Sequence, residues 1–152
     1  MLKLNAKHIV RFLPFAYLGH LLDEFYLGSG FADWFSGLFK ISLLESDFLI
    51  INSVAFLFVV IITILFNLGK INNFIPTVLG VLFFINGIVH LIITTLTLAY
   101  SPGTISGILI YIPFGIIVFK NIFPLLEEKK RTSSIASAIA IHILITIVTV
   151  II

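Results

Sequence analysis

FIPTVLGVLFFINGIVHLIITTLTLA, residues 74–99, carries a single ionisable side chain, His90. A helix of about 20 uncharged residues is enough to cross the ~30 Å hydrocarbon layer of a bilayer. This run exceeds that length, and the rest of the chain has the same character. Of 152 residues 60% are hydrophobic, 11% are charged and sixteen are Phe. Soluble domains average roughly 45–50% apolar and 25% charged residues. With a mean hydropathy of +1.22, the chain is read as one integral membrane domain, 1–152. Its class is all-α, a polytopic membrane helical bundle.

Working outward from residues 74–99, uncharged runs and their breakers predict five transmembrane helices. The first spans about Lys7 to Gly28, with Pro14 in its opening turns and Gly28-Ser29-Gly30 as its stop. Its apolar run from Phe12 to Leu22 is too short to cross alone. If this helix spans, Asp23 and Glu24 must therefore lie within or at the edge of the membrane. The others are Asp47 to Leu68, Phe74 to Ala99, Thr104 to about Leu125, and Ser134 to Ile152. Between the first two, Phe31, Trp34, Phe35, Leu38 and Phe39 recur at helical spacing and predict an interfacial amphipathic helix. Asp23 and Glu24 stand where a signal-peptide cleavage site would need small residues, so the first helix is expected to be retained.

The formal charge of +2 and pI near 9.0 are read as topology, with no nucleic-acid partner. Lys3, Lys7 and Arg11, then Lys70, then Lys129-Lys130-Arg131 fall on one side of a five-helix path, Lys40 being the exception. The positive-inside rule makes that side, and the N-terminus, cytoplasmic. The expected location is a cytoplasmic membrane, with the lipid bilayer and a lipid-soluble or outer-face small molecule as partners and the oligomeric state open. Cysteine is absent, which removes disulfides and thiolate chemistry.

Two islands interrupt the apolar sequence: His20-Leu21-Leu22-Asp23-Glu24 and Asn86-Gly87-Ile88-Val89-His90. An ionisable group at the bilayer centre costs at least ~2.5 kcal/mol, so an intramembrane one is a functional candidate by default. At 1.5 Å per residue, Glu24 sits roughly 20 Å from Arg11 and His90 roughly 24 Å from Phe74, which places both islands in the outer half of the membrane. Positions i, i+3 and i+4 share a helical face, so His20, Asp23 and Glu24 converge. Adding His90 gives two nitrogen and two oxygen donors, a set suited to a divalent metal, zinc first. In this reading His20, Glu24 and His90 are ligands, Asp23 is a ligand, an orienting group or a base, and Asn86 is a hydrogen-bond partner of whatever binds.

The implied chemistry is metal-assisted or acid–base, on a lipid-soluble or outer-face substrate, with Asp23 or Glu24 accepting the proton. Two other classes stay open. A small transporter would use the same residues to hold a cation or relay protons. A structural subunit would use Glu24 and His90 as a packing pair between helices. Gly-x-Ser-x-Gly, phosphate loops and dinucleotide fingerprints are missing, no Ser adjoins either island in sequence, and two embedded carboxylates are too few for a di-iron centre.

Lesser features have plainer readings. Tyr100 to Thr104 is expected to form a turn in which Thr104 caps the fourth helix, and which could form the mouth of a cavity. Pro113 is expected to kink that helix. His142 is read as a packing histidine ahead of a distal ligand, and Glu127 to Arg131 as a solvated turn.

The spaced elements His20-x-x-Asp23-Glu24, Gly30-Phe31-x-x-Trp34, Asn86-x-x-x-His90 and Tyr100-x-Pro102-Gly103-x-x-Ser106, ahead of Pro113, resemble the bacterial membrane family named for its HxxEE motif. The resemblance covers roughly residues 16–114. It departs from the motif at position 23, where Asp stands for the first Glu. It implies a small helical membrane protein with a polar site at His20, Asp23, Glu24, Asn86 and His90, and it implies no established reaction.

Overall fold

The computed structural model describes residues 5–151, and among these it is helical with no strand. Lys3 and Ile152, both used in the sequence reading, lie outside the described residues. The helices are α1 (Ala6–Arg11), α2 (Leu13–Tyr26), α3 (Phe31–Phe39), α4 (Glu45–Asn67), α5 (Phe74–Thr97), the single turn α6 (Thr104–Ser106), α7 (Ile112–Asn121) and α8 (Glu128–Ile151). A π-helical segment, Gly107–Tyr111, joins α6 to α7. Among the described residues four stretches are long and apolar enough to cross a membrane: Glu45–Asn67, Phe74–Thr97, Thr104–Leu125 and Glu128–Ile151.

The first expected span is broken. Pro14 lacks an N–H, so the carbonyl of Val10 loses its helical partner, and the chain steps from α1 to α2 at Phe12. The Thr63 hydroxyl, which donates to Val59 O at 2.9 Å, also lies 3.5 Å from that freed carbonyl. At the same end of the bundle Lys7 Nζ donates to Asn67 O and Arg11 Nε to Asn67 Oδ1, tying α1 to the end of α4.

Pro113 acts less simply than a kink. The helix passes into π register over Gly107–Tyr111, with the Ile112 N–H reaching back to Gly107 O, and Pro113 then sits in the first turn of α7, where its missing donor costs little. Two further expectations need correction. Thr104 does not cap the fourth span, because Gly103 at φ +97° occupies the cap position and Thr104 is the first helical residue. Nor do Lys129, Lys130 and Arg131 form a turn. They lie in the opening turn of α8, which starts six residues before the expected Ser134.

α5 is the hub. It is the most buried of the long helices and packs on α8, α7, the π segment and α4, while α2 lies against α4, α6 and the π segment. Its approach to the π segment requires glycine: a Cβ on Gly87 would stand 2.9 Å from Gly107 O. That closeness sets Tyr111 against α5, its ring stacked on Phe83 with centroids 4.3 Å apart. Leu13, Val59, Ile62, Phe83, Tyr111 and Val118 belong to one continuous core. Two smaller clusters, around Phe35 and Phe48 and around Val81 and Ala138, are also buried, while many other long apolar side chains face outward, as on Phe15, Val54, Leu109 and Leu144.

Candidate functional site

At one end of this core α2 and α5 bring the two islands together. Helical spacing puts His20 and Glu24 on one face of α2, and α5 carries His90 opposite them. Nε2 of His20 lies 3.4 Å from Glu24 Oε1, and Nε2 of His90 lies 3.3 Å from the same oxygen. All three residues are buried, at 4%, 7% and 4% exposure. One ligand atom from each can be chosen so that all three lie within 4.8 Å of one another.

The other nitrogen of each imidazole is held by a serine. His20 Nδ1 is 2.8 Å from Ser106 Oγ, and His90 Nδ1 is 3.1 Å from Ser101 Oγ. Asp23 turns away from the histidines and accepts three hydrogen bonds: from the Ser106 N–H and Oγ–H at 2.6 Å each, and from the Tyr100 hydroxyl. The Ser106 hydroxyl also lies 3.2 Å from Gly103 O; with its proton directed to Asp23, the shorter contact, its oxygen accepts from His20. In that arrangement the hydrogen of His20 sits on Nδ1 and Nε2 faces Glu24.

The loop between α5 and α6 closes this end. Ser101, Pro102 and Gly103 are buried, so the turn is a plug and not the mouth expected of it. A Cβ on Gly103 would meet His90 Cε1 at 2.8 Å and His20 Cε1 at 2.9 Å. The plug is stitched to α5 by the Thr104 hydroxyl, which donates to Ser101 O at 2.6 Å and lies 2.7 Å from Thr94 Oγ1. Tyr100 is half-buried at its edge. Burial, then the hydrogen bond to Asp23, pushes its phenol well above the ordinary tyrosine value, so it stays a donor at neutral pH.

The imidazoles and Glu24 line a cavity of about 210 Å³ whose remaining wall is largely aromatic and aliphatic. α3 contributes Phe31, Trp34, Phe35 and Phe39, so it is one wall of the site. The Phe31 ring sits 6.2 Å from that of His90. His142 of α8 also reaches the cavity, where the sequence had favoured simple packing. Asn86, expected to meet a bound group, lines the wall one turn from His90, and its buried Oδ1 has no hydrogen-bond partner.

Of the expected residues, then, His20, Glu24 and His90 are brought together, Asn86 stands beside them, and Asp23 backs them through Ser106. Ser101 and Ser106 were missed as partners of the histidines because they are distant in sequence. Their signal was the spaced Tyr100 to Ser106 element, to which no chemical role had been attached. Neither serine lines the cavity, which argues against either as a nucleophile.

A family model described as "Protein of unknown function with HXXEE motif" matches residues 11–118. No curated protein and no solved structure matches the chain.

Proposed function

This chain belongs to the HXXEE-motif family, and on that premise we propose that His20, Glu24 and His90 bind a divalent metal, zinc first, in a membrane-embedded site that acts on a lipid-soluble substrate. One observation carries the reading: three Lewis-basic atoms, one from each residue, lie within 4.8 Å of one another in a buried pocket. Zinc binds imidazole nitrogen and carboxylate oxygen at about 2.0–2.2 Å in tetrahedral geometry, which separates adjacent donors by roughly 3.3–3.5 Å. The two contacts to Glu24 are 3.4 and 3.3 Å. With its proton on Nδ1 and no cation bound, His20 turns an Nε2 lone pair toward Glu24 Oε1 at 3.4 Å in a medium that penalises an unpaired polar group.

Three protein ligands leave a fourth position open, the pattern of catalytic rather than structural zinc. Such an ion would supply Lewis acidity toward a carbonyl or phosphoryl oxygen. The protein's own part is to orient. Asp23 and Ser106 fix the His20 tautomer, Ser101 steadies the His90 ring, and Gly103 allows the loop to press on both. Partners of this kind tune metal sites by about 10–100-fold.

The same reading takes the bundle as five spans. α1 and α2 together cover residues 6–26, roughly 31 Å of helix at 1.5 Å per residue, a length that fits a crossing broken near its start. Lys7, Arg11 and Lys70 gather at one end, which the positive-inside rule assigns to the cytoplasm. The N-terminus is then cytoplasmic, the site lies toward the outer leaflet, α3 lies at the interface, and a bacterial inner membrane is the setting.

Metal analysis of purified protein, dialysed and reloaded, tests the proposal. Stoichiometric zinc that is lost in His20→Ala and His90→Ala supports it. Metal-free protein showing proton-coupled flux in liposomes would turn the reading to transport. Metal-free, inactive protein destabilised by the same substitutions would turn it to packing.

A further inference from the structure

The cavity beside the histidines has a shape and chemistry of its own. Its wall is built by Phe31, Trp34 and Phe39 of α3, Phe48 and Ala55 of α4, and Ile145 of α8, while its unsatisfied polar atoms lie at the inner end. α4 and α8 both line it yet pack little on each other, and both expose long apolar side chains such as Val54 and Leu144 on their other faces. At the inner end His20 Nε2 and Asn86 Oδ1 are both buried without a hydrogen-bond partner. Tyr17 and Asn52, also on the wall, satisfy one another at 2.7 Å. The unmet demand is therefore specific: one Lewis-acidic or protonated centre at the His/Glu group, and one hydrogen-bond donor at Asn86.

From this juxtaposition we infer that the cavity takes a single-chain amphiphile from the lipid phase, its chain lying between α4 and α8 and its polar end carrying an oxygen toward His20, Glu24 and His90 beside an N–H or O–H donated to Asn86. The inference rests on the metal reading for what that oxygen meets. A buried acceptor left unpaired is destabilising, so a ligand that donates to Asn86 is favoured over one that cannot. At about 210 Å³, the space falls below the roughly 300–1,000 Å³ of pockets for drug-sized molecules. It suits one acyl chain segment and a compact head better than a fused-ring lipid or a head the size of a sugar. A fatty amide, a hydroxylated fatty acid or a long-chain hydroxamate meets every requirement.

Trp34, the sole tryptophan of the chain, lines the cavity and reports its occupancy directly. The probe is the hydroxamic acid of dibromostearic acid, whose bromines quench tryptophan on contact, with the corresponding methyl ester as a chain-matched control lacking the donor. Full-length protein in phosphatidylcholine nanodiscs, with and without Zn²⁺, should show saturable quenching by the hydroxamate. The midpoint should be at least tenfold lower with Zn²⁺, about tenfold higher in Asn86→Leu, and beyond reach in Ala55→Phe, with bound zinc per chain unchanged in both variants. Should Ala55→Phe fail to fold, Ala55→Leu serves the same purpose. Stoichiometric zinc with no saturable quenching, or equal quenching by ester and hydroxamate, overturns the inference and leaves the metal reading intact. Saturable, Asn86-dependent quenching in protein that binds no zinc supports the amphiphile and removes the metal.

Discussion

Glu24 Oε1 lies 3.3 Å from Nε2 of His90, on a different helix, with both side chains nearly closed to solvent. The same distance serves a packing hydrogen bond and a pair of ligands on one ion, and Glu24→Gln separates the two. Glutamine keeps the shape and gains a donor for an imidazole lone pair, so a packing contact survives it. A metal site loses its anionic ligand, and zinc affinity should fall on the order of a hundredfold or more. Zinc at 100 times its dissociation constant should stabilise the native protein by about 2.7 kcal/mol. Thermal unfolding in detergent should show that shift in the parent chain and, at the same zinc concentration, no more than about 0.4 kcal/mol in Glu24→Gln. A zinc-insensitive parent chain would refute the site.

Ser106 touches both His20 and Asp23, whereas Ser101 touches His90 alone through its side chain. Their alanine variants should therefore differ. Ser106→Ala strips one donor from a buried carboxylate and the acceptor from an imidazole, costing about 1–3 kcal/mol of stability and about 10–100-fold in zinc affinity. Ser101→Ala should lower zinc affinity over the same range with a smaller loss of stability. Nitrogen chemical shifts of His20 provide the independent check: the parent chain should carry the proton on Nδ1, and Ser106→Ala should lose that preference.

The sequence disclosed these residues unevenly, for physical reasons. His20 and Glu24 were legible as a pair because four residues make one helical turn, and His90 because nothing else in its span ionises. That they meet depends on which face of α5 turns to α2. That orientation is fixed by the Gly87 to Gly107 approach, a tertiary fact without a local pattern. Ser101 and Ser106 look like ordinary turn residues until the loop folds inward. The break at Phe12 was foreshadowed by Pro14, but the π segment before Pro113 was not, since a proline predicts a lost donor and does not say how the helix will absorb it. The early start of α8 reflects charges tolerated in an exposed first turn, where Lys130 pairs with Glu127 at 3.6 Å.

Tyr100 offers a test by pH. Burial and Asp23 raise the phenol above its ordinary 10.0, so the unfolded chain releases this proton before the folded one does. Folded protein then holds more protons than unfolded, and stability falls as pH rises. The Tyr100 contribution is fully present below 10.0 and fades upward from there. Tyr100→Phe removes both the titration and the bond to Asp23. It should be less stable than the parent chain at pH 8, and the gap between them should narrow above pH 10. A gap that stays constant across that range would mean the phenol is not coupled to Asp23.

Gly103 is where the loop, both helices and the site meet, so its substitution tests the architecture most sharply. Its φ of +97° lies in a region costly to any residue with a Cβ, and the added methyl would press on both imidazoles at 2.8 and 2.9 Å. The two effects act at different levels. Backbone strain of about 1–2 kcal/mol appears in unfolding whether or not metal is bound, while displacement of the rings appears only in zinc affinity. Gly103→Ala should lose at least tenfold in zinc affinity in addition to that stability. Gly69, with φ +72° and open space around its Cβ position, supplies the comparison. Gly69→Ala should show comparable strain and retain the parent affinity. Equal zinc binding in the two variants would mean that the loop does not position the histidines.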